Sequence, residues 1–455
     1  MVPSETILNV TPEAPPKLNA YLVKSTVVAA LSGLLVGFVT AVISGTTHDL
    51  TLVYHLTPGS IGITVASALW GAVLGALFAG IPADRYGPRR GLGAVAALFL
   101  GSGLGCALAW SWPSLVAFRF LAGLAIGGSC VLGPMYIAEI APAKWRGRLV
   151  GFFQVNVVVG ILLAFVSNYI VGLFQLGQLE WRWKLGVSAV LSVPFFVLLF
   201  AIPRSPRWLV KKGYVDEARE VFLKTGEERC EQELREILES VSSGGSAESL
   251  FCWKYRLPIF LAVSIGMFSQ LSGVNAVWYY LNDIFARAGF SKVSSDLQAV
   301  TVGIVNLIAV ILAMSVIDRI GRKTLLLIGS VGCVASLAGV SAVFFSGAHA
   351  NLLLWCLIGF IGFFSFSQGA VIWVYISEVF PNNVRAKGQS LGSFSHWFMN
   401  AIVTWLFPLM AVSSEGYPFL IFSAMMALQF FVVMFVYPET KQVSLEAMQQ
   451  KLGIG

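Results

Sequence analysis

Two stretches of this chain repeat one another. Residues 136–147 read YIAEIAPAKWRG and residues 375–386 read YISEVFPNNVRA, so that Tyr, Ile, Glu, Pro and Arg recur in one order. A second pair, DRYG at 84–87 and DRIG at 318–321, recurs with a similar offset. Internal repeats of this kind indicate a chain built from two related halves. The repeated segments also hold the charges that separate long apolar runs.

Between these segments the sequence is apolar over long distances. The chain has 455 residues, of which 57% are hydrophobic and 12% charged, whereas roughly 25% of the residues of a soluble protein are charged. A membrane-spanning helix needs about 20 mostly apolar residues, and the run 324–377 is long enough for two. The sequence therefore predicts twelve spans and excludes a soluble enzyme. The runs without Asp, Glu, Lys or Arg are 25–48, 50–83, 91–118, 120–138, 149–179, 185–203, 257–282, 297–317, 324–377, 388–414 and 416–438.

We predict an all-α membrane protein. Every backbone N–H and C=O group must be hydrogen-bonded inside the lipid, which leaves helices and closed barrels as spanning structures. The uncharged runs are much longer than the about 9–11 residues of a barrel strand. The predicted fold class is therefore twelve transmembrane helices in two six-helix halves with pseudo-two-fold symmetry, plus a small cytoplasmic helical domain.

The distribution of basic residues predicts the orientation. An even number of spans places both termini on one side of the membrane, and Lys and Arg are enriched in cytoplasmic loops. With cytoplasmic termini, most of the 30 Lys and Arg residues face the cytoplasm, and the external loops hold only Arg182, Lys184, Arg287 and Lys292. We expect a monomeric, multi-pass protein of the plasma or inner membrane, surrounded by the lipid bilayer. The net charge of +7 reflects this orientation, and no nucleic-acid partner is expected.

The charges also divide the chain into domains. We predict a cytoplasmic N-terminal tail at 1–24, a six-helix half at 25–203, a cytoplasmic helical linker at 204–256, a second half at 257–438 and a cytoplasmic C-terminal tail at 439–455. The linker begins with Ser205-Pro206, a favourable helix start, and its Glu231 and Arg235 are spaced for an i,i+4 ion pair. The six cysteines have no CxxC spacing, so neither a disulfide, a metal nor another cofactor is expected.

Six short motifs together indicate a family. They are DRYGPRR at 84–90, RGR at 146–148, PRSPRWL at 203–209, QLSGVN at 270–275, DRIGRK at 318–323 and PETK at 438–441. With them the chain resembles the sugar porter family of the major facilitator superfamily, which includes facilitative glucose transporters and bacterial proton-coupled sugar symporters. The resemblance extends from Gly33 to Lys441. It implies a carrier that moves a monosaccharide by alternating access, with no enzymatic activity and no cofactor.

The repeated charged segments predict a latch at the cytoplasmic helix ends. A Glu followed seven residues later by Arg occurs once in each half, and such charges can pair between the halves when the inner side is closed. A simpler interpretation is positive-inside anchoring alone, which does not require the acidic partners. Arg204 stands where the family has Glu, so we expect a weaker closed latch and more of the inward-open state. The latch residues are Asp84, Arg85, Glu139, Arg146, Arg207, Asp318, Arg319, Glu378 and Arg385.

Polar side chains inside the apolar runs predict the substrate site. Amide groups both donate and accept hydrogen bonds, as sugar hydroxyls do, although a single amide in a span can equally bond another helix. Asn156, Asn168 and Gln368 are interpreted in the second way. The resemblance implies an external gate at Tyr279 and Tyr280. The candidate substrate contacts, most of them implied by the resemblance, are Gln154, Gln270, Asn275, Asn306, Trp373, His396, Trp397 and Asn400.

One substitution predicts the driving force. By the resemblance, proton-coupled members carry an Asp in span 1 close to an Arg in span 4, whereas this chain has Val39 and retains Arg119. Val39 cannot titrate, so a facilitative uniporter is the simplest prediction. The alternative is a proton symporter of a sugar, cyclic polyol or related polyhydroxy compound. In that case His396, with an ordinary pKa of about 6.5, is the titrating group.

Two other function classes fit less well. A sugar sensor that binds without transport would need a signalling tail, and only a short segment follows Pro438. A membrane enzyme would need a nucleophile paired with a base or a cluster of metal ligands, and no span carries either. Hexoses, pentoses, cyclic polyols and, because of Arg119, a cyclic acid remain open as substrates.

Overall fold

The structure, a computed structural model, describes residues 19–227, 230–242, 249–347, 349–381 and 384–441, together with Met448, 450–452 and Ile454. Within these ranges the chain is almost entirely helical and contains no strand. Eleven segments of the described residues are long and apolar enough to cross a membrane. The predicted all-α, multi-spanning fold class is therefore confirmed.

The helices follow the predicted order. The first half contains α1 (Ala20–Val42), α2 (Thr47–Tyr54), α3 (Pro58–Phe78), α4 (Gly80–Tyr86), α5 (Pro88–Ala107), α6 (Trp112–Ile140), α7 (Ala143–Leu173) and α8 (Glu180–Leu198). The linker contains α9 (Pro206–Lys211), α10 (Val215–Thr225) and α11 (Cys230–Ser242). The second half contains α12 (Arg256–Leu271), α13 (Val274–Arg287), α14 (Lys292–Ile320), α15 (Arg322–Ser346), α16 (Ala350–Phe366), α17 (Gln368–Glu378), α18 (Arg385–Met410) and α19 (Gly416–Val436).

All twelve predicted spans have a counterpart among these helices. Spans 7 and 10 are each made of two helices, α12 with α13 and α16 with α17. The predicted run 388–414 corresponds to α18, which has 26 residues and carries Arg385 and Lys387 in its first turn. α18 therefore supplies span 11. Together with the eleven segments described above, it accounts for all twelve predicted spans, six of them in the second half.

The repeated DRYG and DRIG segments have the same backbone geometry. Gly87 ends α4 with φ of 91° and Gly321 ends α14 with φ of 101°, and the next helix begins at once in both halves. Side chains other than Gly rarely adopt such positive φ values. A Cβ at Gly87 would also lie 3.1 Å from the Trp208 ring, and one at Gly321 would lie 2.7 Å from the Glu439 carboxylate. The sequence repeat therefore corresponds to a structural repeat.

Small residues allow the helices within a half to pack backbone to backbone. A Cβ at Gly123 on α6 would lie 1.9 Å from the carbonyl oxygen of Ala68 on α3. A Cβ at Gly37 on α1 would likewise lie 1.8 Å from the carbonyl oxygen of Val157 on α7. In lipid there is no hydrophobic force between helices, so close packing of small residues holds them together. Substitution at these positions would force the helices apart.

The halves meet along two main helix pairs. α3 packs against α18 and α7 packs against α14, while α13 contacts the turn after α1. Between α3 and α18, a Cβ at Gly62 would lie 2.5 Å from the carbonyl oxygen of Trp405. The beginning of α1, the end of α19 and the linker helices lie at one end of the bundle, which we call the terminal end. We call the other the opposite end.

Two spans are interrupted in mid-membrane. Span 7 breaks at Gly273, which has φ of 79°, and a Cβ there would lie 2.1 Å from the Phe422 ring. Span 10 breaks at Ser367, with φ of −114° and ψ of −87°. Backbone groups left free at such breaks are tolerated in a membrane protein only where they face protein or a cavity. Broken helices of this kind typically form the substrate sites of transporters, so the two breaks indicate a candidate substrate site.

The linker helices form a small core at the terminal end. Asn19 at the start of α1 donates to the carbonyl of Lys224 at 2.7 Å, which fixes α10 against the first half. Arg219 on α10 pairs with Glu231 on α11 at 2.7 Å, and this hydrogen bond lowers the pKa of Glu231. Arg235 donates to the backbone carbonyl of Glu231 at 3.2 Å. The apolar core consists of Leu209, Val210, Ala218, Val221, Phe222, Cys230, Leu234 and Ile237.

Candidate substrate site and gates

The break at Gly273 brings two predicted substrate contacts together. Gln270 ends α12 and Asn275 begins α13, and the Asn275 Nδ2 donates to Gln270 Oε1 at 2.9 Å. The Gln270 Nε2 lies 3.0 Å from the Nε2 of His396 on α18. Since an amide nitrogen can only donate, the facing ring nitrogen accepts. Gln270 is 1% exposed, so this network forms a fixed polar surface inside the second half.

Aromatic rings surround His396. The ring centroids of Trp373 and His396 are 5.1 Å apart, and those of His396 and Trp397 are 5.5 Å apart at nearly right angles. Trp373 on α17 is 37% exposed, which leaves part of its indole free. An apolar face beside hydrogen-bonding groups suits a sugar, whose ring has both C–H and O–H surfaces.

The remaining predicted amides lie on α14, α18 and α7. Asn306 on α14 accepts from the Ser365 hydroxyl at 2.7 Å. Asn400, one turn after His396, accepts from Thr404 at 3.1 Å, and its Nδ2 is buried without a hydrogen bond of normal geometry among the described residues. Gln154 on α7 is half-buried and is the candidate from the first half. These amides keep donors or acceptors for a ligand.

The amides that were interpreted structurally make protein contacts. Asn168 donates to the carbonyl of Val42 on α1 at 3.1 Å. Gln368 donates to Gln429 on α19 at 2.9 Å. Asn156 donates to the carbonyl of Phe152 in its own helix at 2.9 Å, so its contact is within one helix and not between two.

The two tyrosines of the predicted external gate are buried in this structure. Tyr279 and Tyr280 are 2% and 3% exposed. Tyr280 stacks on Phe407 with centroids 5.1 Å apart, and its hydroxyl donates to the carbonyl of Thr404 at 3.3 Å. Tyr279 faces Thr40 of the first half as well as Asn400 of the second. The tyrosines therefore fill the space between the halves above the polar cluster.

Arg119 is buried at the position of the expected coupling pair. It is 2% exposed, and its Nε and Nη2 donate to the carbonyls of Thr64 and Val65 at 2.9 and 3.4 Å. Its ionisable neighbours are Cys106, Tyr279 and Tyr280. Val39 on α1 is also buried. Backbone carbonyls thus hold the guanidinium that the family pattern would pair with an Asp.

The predicted latch residues on the side of the first half contact the linker or their own half. Glu139 at the end of α6 accepts a hydrogen bond from the Ser205 hydroxyl. Arg207 lies 3.9 Å from Glu233 of the linker. The backbone carbonyl of Asp84 accepts from the Trp208 indole at 3.2 Å, and Arg85 lies over the Tyr86 ring. The Nε of Arg146 is buried with no hydrogen-bond partner in the part of the chain described.

The second half has an equivalent arrangement. Glu378 accepts from Arg322 at 2.9 Å and from the Thr440 hydroxyl at 2.6 Å. Arg385 donates to the carbonyl of Phe380 at 3.3 Å, and the carbonyl of Arg319 accepts from Lys441. The side chain of Asp318 lies outside the described residues. Sequence reasoning missed Arg322, which is the basic partner of Glu378, because the two residues meet only in the folded second half.

The opposite end carries charged contacts that sequence reasoning also missed. Lys184 and Lys292 were expected in external loops, yet both form ion pairs that join the halves. Lys292 of the second half lies 3.0 Å from Asp49 and 3.1 Å from Glu180 of the first. The spacing of Glu180 and Lys184, four residues apart at the start of an apolar run, was the available signal.

The fold, the broken spans and the polar cluster define a multi-pass membrane transporter of the major facilitator type. A protein-family model described as Sugar (and other) transporter matches residues 25–452. The probable metabolite transport protein CsbC of Bacillus subtilis is 36% identical over 437 residues, which cover 93% of each chain. The D-xylose-proton symporter of Escherichia coli is 32% identical over 469 residues, which cover 95% of this chain and 96% of that protein.

A solved structure agrees with these relatives. The inward open conformation of the xylose transporter XylE from E. coli superposes with a TM-score of 0.85 at 31% identity, and covers 95% of this chain and 100% of that one. This chain therefore belongs to the sugar porter family, as its motifs predicted, and it is a sugar transporter and not an enzyme.

Proposed function

We propose that the protein is a facilitative carrier that equilibrates a monosaccharide across the membrane by alternating access. The observation that supports this proposal is Val39, which places an apolar side chain where the family's coupled members have an Asp. Arg119 is held by the carbonyls of Thr64 and Val65, so it does not need a carboxylate partner. An Arg stays protonated at any useful pH, and it therefore supplies no proton to couple.

The proposed sugar site lies between the halves beside the break in span 7. Gln270, Asn275 and His396 present hydrogen-bonding groups, and Trp373 presents a free apolar face. Asn306 and Asn400 extend the polar surface, Gln154 contributes from the first half, and Trp397 supports the His396 ring. These groups are neutral amides and aromatics, which allow a ligand to bind without being held too tightly to leave. A pentose, a hexose or a cyclic polyol fits this chemistry.

In the proposed cycle, this structure is the state open at the terminal end. Its likeness to an inward open transporter and the burial of Tyr279 and Tyr280 support that assignment. Positive residues concentrated at the terminal end support a cytoplasmic location for that end, with both termini on the cytoplasmic side of a plasma or inner membrane. Closing the terminal end would bring the latch of Glu139, Arg146, Glu378 and Arg385 together across the halves. We expect the carrier to work as a monomer.

Proton symport is the second candidate, and a relative favours it. The E. coli protein that is 32% identical over nearly the whole chain is a D-xylose-proton symporter. In this chain the titrating group would be His396, which contacts Gln270 in the proposed site. Loss or gain of its proton would change the hydrogen bonds offered to the sugar.

Transport by the purified protein in liposomes distinguishes the two candidates. Counterflow with a pentose, a hexose and a cyclic polyol first identifies a substrate. Uptake of that substrate is then measured with and without an inward proton gradient. We expect equilibration without accumulation, and His396→Gln, which changes the proposed sugar site, should slow uptake without producing accumulation. Accumulation driven by the gradient would contradict uniport, and its loss in His396→Gln would assign the coupling to this histidine.

A further inference from the structure

At the opposite end, a buried ion cluster joins the two halves. Lys184 on α8 has a side chain that is 0% exposed, and its Nζ lies 2.8 Å from Glu180 Oε1 and 3.7 Å from Asp296 Oδ2. Glu180 belongs to the first half and Asp296 to the second, and their side chains are 5% and 3% exposed. The Lys184 ammonium also donates to the carbonyl of Gly45 at 3.0 Å. One cation thus bridges carboxylates from both halves.

Hydrogen bonds extend the cluster toward the external gate. Asp296 accepts from the amide of Asn282 on α13. Asn282 in turn accepts from the Ser44 hydroxyl, in the turn after α1, at 2.8 Å. The chain of contacts therefore runs from α8 through α14 and α13 to the end of α1, and it crosses between the halves twice.

A second cation closes the outer side of the cluster. Lys292 at the start of α14 lies 3.0 Å from Asp49 on α2 and 3.1 Å from Glu180 on α8. With Lys184 and Lys292 facing Glu180, Asp296 and Asp49, two positive charges neutralise most of three negative ones. These contacts can persist only while the halves remain together at this end.

We propose that Lys184, Glu180, Asp296, Lys292 and Asp49 form an outer latch, with Lys184 as its central positioning residue. This latch holds the opposite end closed, and its contacts between the halves break each time that end opens. This inference rests on the alternating access in the proposed function. An ion pair removed from water costs desolvation, and taking away one partner leaves the others unpaired at a much larger cost. In the closed state Lys184 compensates Glu180 and Asp296. In the open state water can solvate all three groups, so the cluster is compatible with both states.

The difference between the states makes Lys184 a specific control point. If a neutral side chain of similar length replaces Lys184, the two carboxylates face each other in the closed state with less compensation. Opening to water relieves their repulsion, so the equilibrium moves toward the state open at the opposite end. A structural role confined to one half would lower stability without changing that equilibrium.

Distances between the halves test the proposal without substrate. Spin labels are attached to p-azidophenylalanine in place of Leu52 on α2 and Leu297 on α14, which are 61% and 48% exposed, so that the native cysteines stay in place. Pulsed electron–electron double resonance (DEER) then measures the distance between the two labels in the full chain in nanodiscs. We expect Lys184→Met to increase the ratio of long to short distances by about tenfold or more, as for truncation of a buried charge pair.

A matched control removes a charge from the same end within one half. Arg287 pairs with Glu415, and both belong to the second half. Arg287→Met should leave the distance distribution unchanged. The triple variant Lys184→Met, Glu180→Gln, Asp296→Asn removes the repulsion and should reverse most of the shift seen in Lys184→Met.

The outcomes separate this inference from the proposed function. An unchanged distribution in Lys184→Met, an equal shift in Arg287→Met, or a triple variant that stays open would each overturn the outer latch. If Lys184→Met does not fold, Asp296→Asn tests the cluster from the other half, and it should shift the ratio in the same direction by a smaller factor. No shift in that variant would also overturn the latch. Since no sugar or proton gradient is used, none of these results depends on uniport.

Discussion

The two ends of the bundle use the same kind of interaction in different places. At the opposite end, ion pairs join the halves, as Lys292 does with Asp49 at 3.0 Å. At the terminal end, the described ion pairs stay within the linker or within one half, as in Arg322 with Glu378 at 2.9 Å. An ion pair controls access only where its partners belong to bodies that move apart. The distribution of charged contacts therefore supports the proposed state, in which the opposite end is closed.

Burial adds to the difference between the ends. Lys184 is 0% exposed, whereas Arg204 and its partner Glu217 are 42% and 41% exposed at 3.5 Å. Breaking a buried pair from one side typically costs about 3–5 kcal/mol, and an exposed pair contributes about 0–1 kcal/mol. Equivalent substitutions at the two ends should therefore have effects of very different size.

Charge reversal should show the largest difference. Asp296→Lys places a third cation beside Lys184 and Lys292, and we expect transport in liposomes to fall by about 100-fold or more, because the outer latch cannot close. Glu217→Lys is the matched reversal at the terminal end and should lower transport by less than about fivefold. The amount of folded protein in the membrane is measured for both variants. Equal effects of the two reversals would contradict the comparison.

Substitutions in the proposed sugar site, between the two ends, should have the next largest effect. Gln270→Ala and Asn275→Ala each remove a hydrogen-bonding group from the proposed sugar surface, and each should weaken sugar binding by about 1–3 kcal/mol. Gln270→Ala should have the larger effect because it also leaves Asn275 and His396 without their shared partner. Isothermal titration calorimetry with the substrate found by counterflow measures the sugar affinity of each variant. Unchanged affinity in both variants would place the sugar elsewhere.

A smaller effect is expected from the exposed pair at the terminal end. Arg204→Glu restores the acidic residue of the family pattern and should favour the closed terminal end. Because Arg204 is exposed, the change should amount to less than about 1 kcal/mol. Alkylation of a cysteine introduced at Gln154, the half-buried site candidate of the first half, should become slower from the cytoplasmic side. Faster alkylation would mean that Arg204 does not weaken the latch.

The smallest effect concerns the linker. The hydrogen bond from Arg219 lowers the pKa of Glu231, so this pair stabilises the folded linker above the unfolded pKa of Glu231. That contribution is lost as the pH falls through the lowered pKa. After correction for the intrinsic pH dependence of amide exchange, the protection of α10 and α11 against hydrogen exchange should therefore fall on acidification, and Glu231→Gln should remove this pH dependence. A dependence that persists in the variant would assign it to another group.

The sequence predicted the features that depend on local rules. Uncharged runs of about 20 residues determine the spans, and the repeated motifs determine the two halves. The break in span 7 has a local signal, because Gly273 separates Gln270 from Asn275 and Gly adopts positive φ without strain. The break at Ser367 was not predicted, since Ser has no comparable preference and the local sequence gives no signal for it.

Contacts between distant parts of the chain could not be predicted in the same way. Lys184 and Asp296 meet only because α8 and α14 come together at the opposite end. From sequence alone, the spacing of Glu180 and Lys184 indicates one carboxylate beside this Lys, but nothing local indicates Asp296 of the other half. For the same reason the partner of Glu378 was expected in the other half, whereas the structure places Arg322 of the same half there.

The proposed cycle and the outer latch both require that the two ends open reciprocally and that Lys184 controls the equilibrium between the two open states. This requirement is tested most directly by measuring label separations at both ends of one variant, Lys184→Met, with labels in place of Leu52 and Leu297 at the opposite end and in place of Lys144 and Gln389 at the terminal end. We expect the first separation to lengthen and the second to shorten, relative to the unmodified protein. A longer separation at the opposite end with an unchanged one at the terminal end would contradict this requirement.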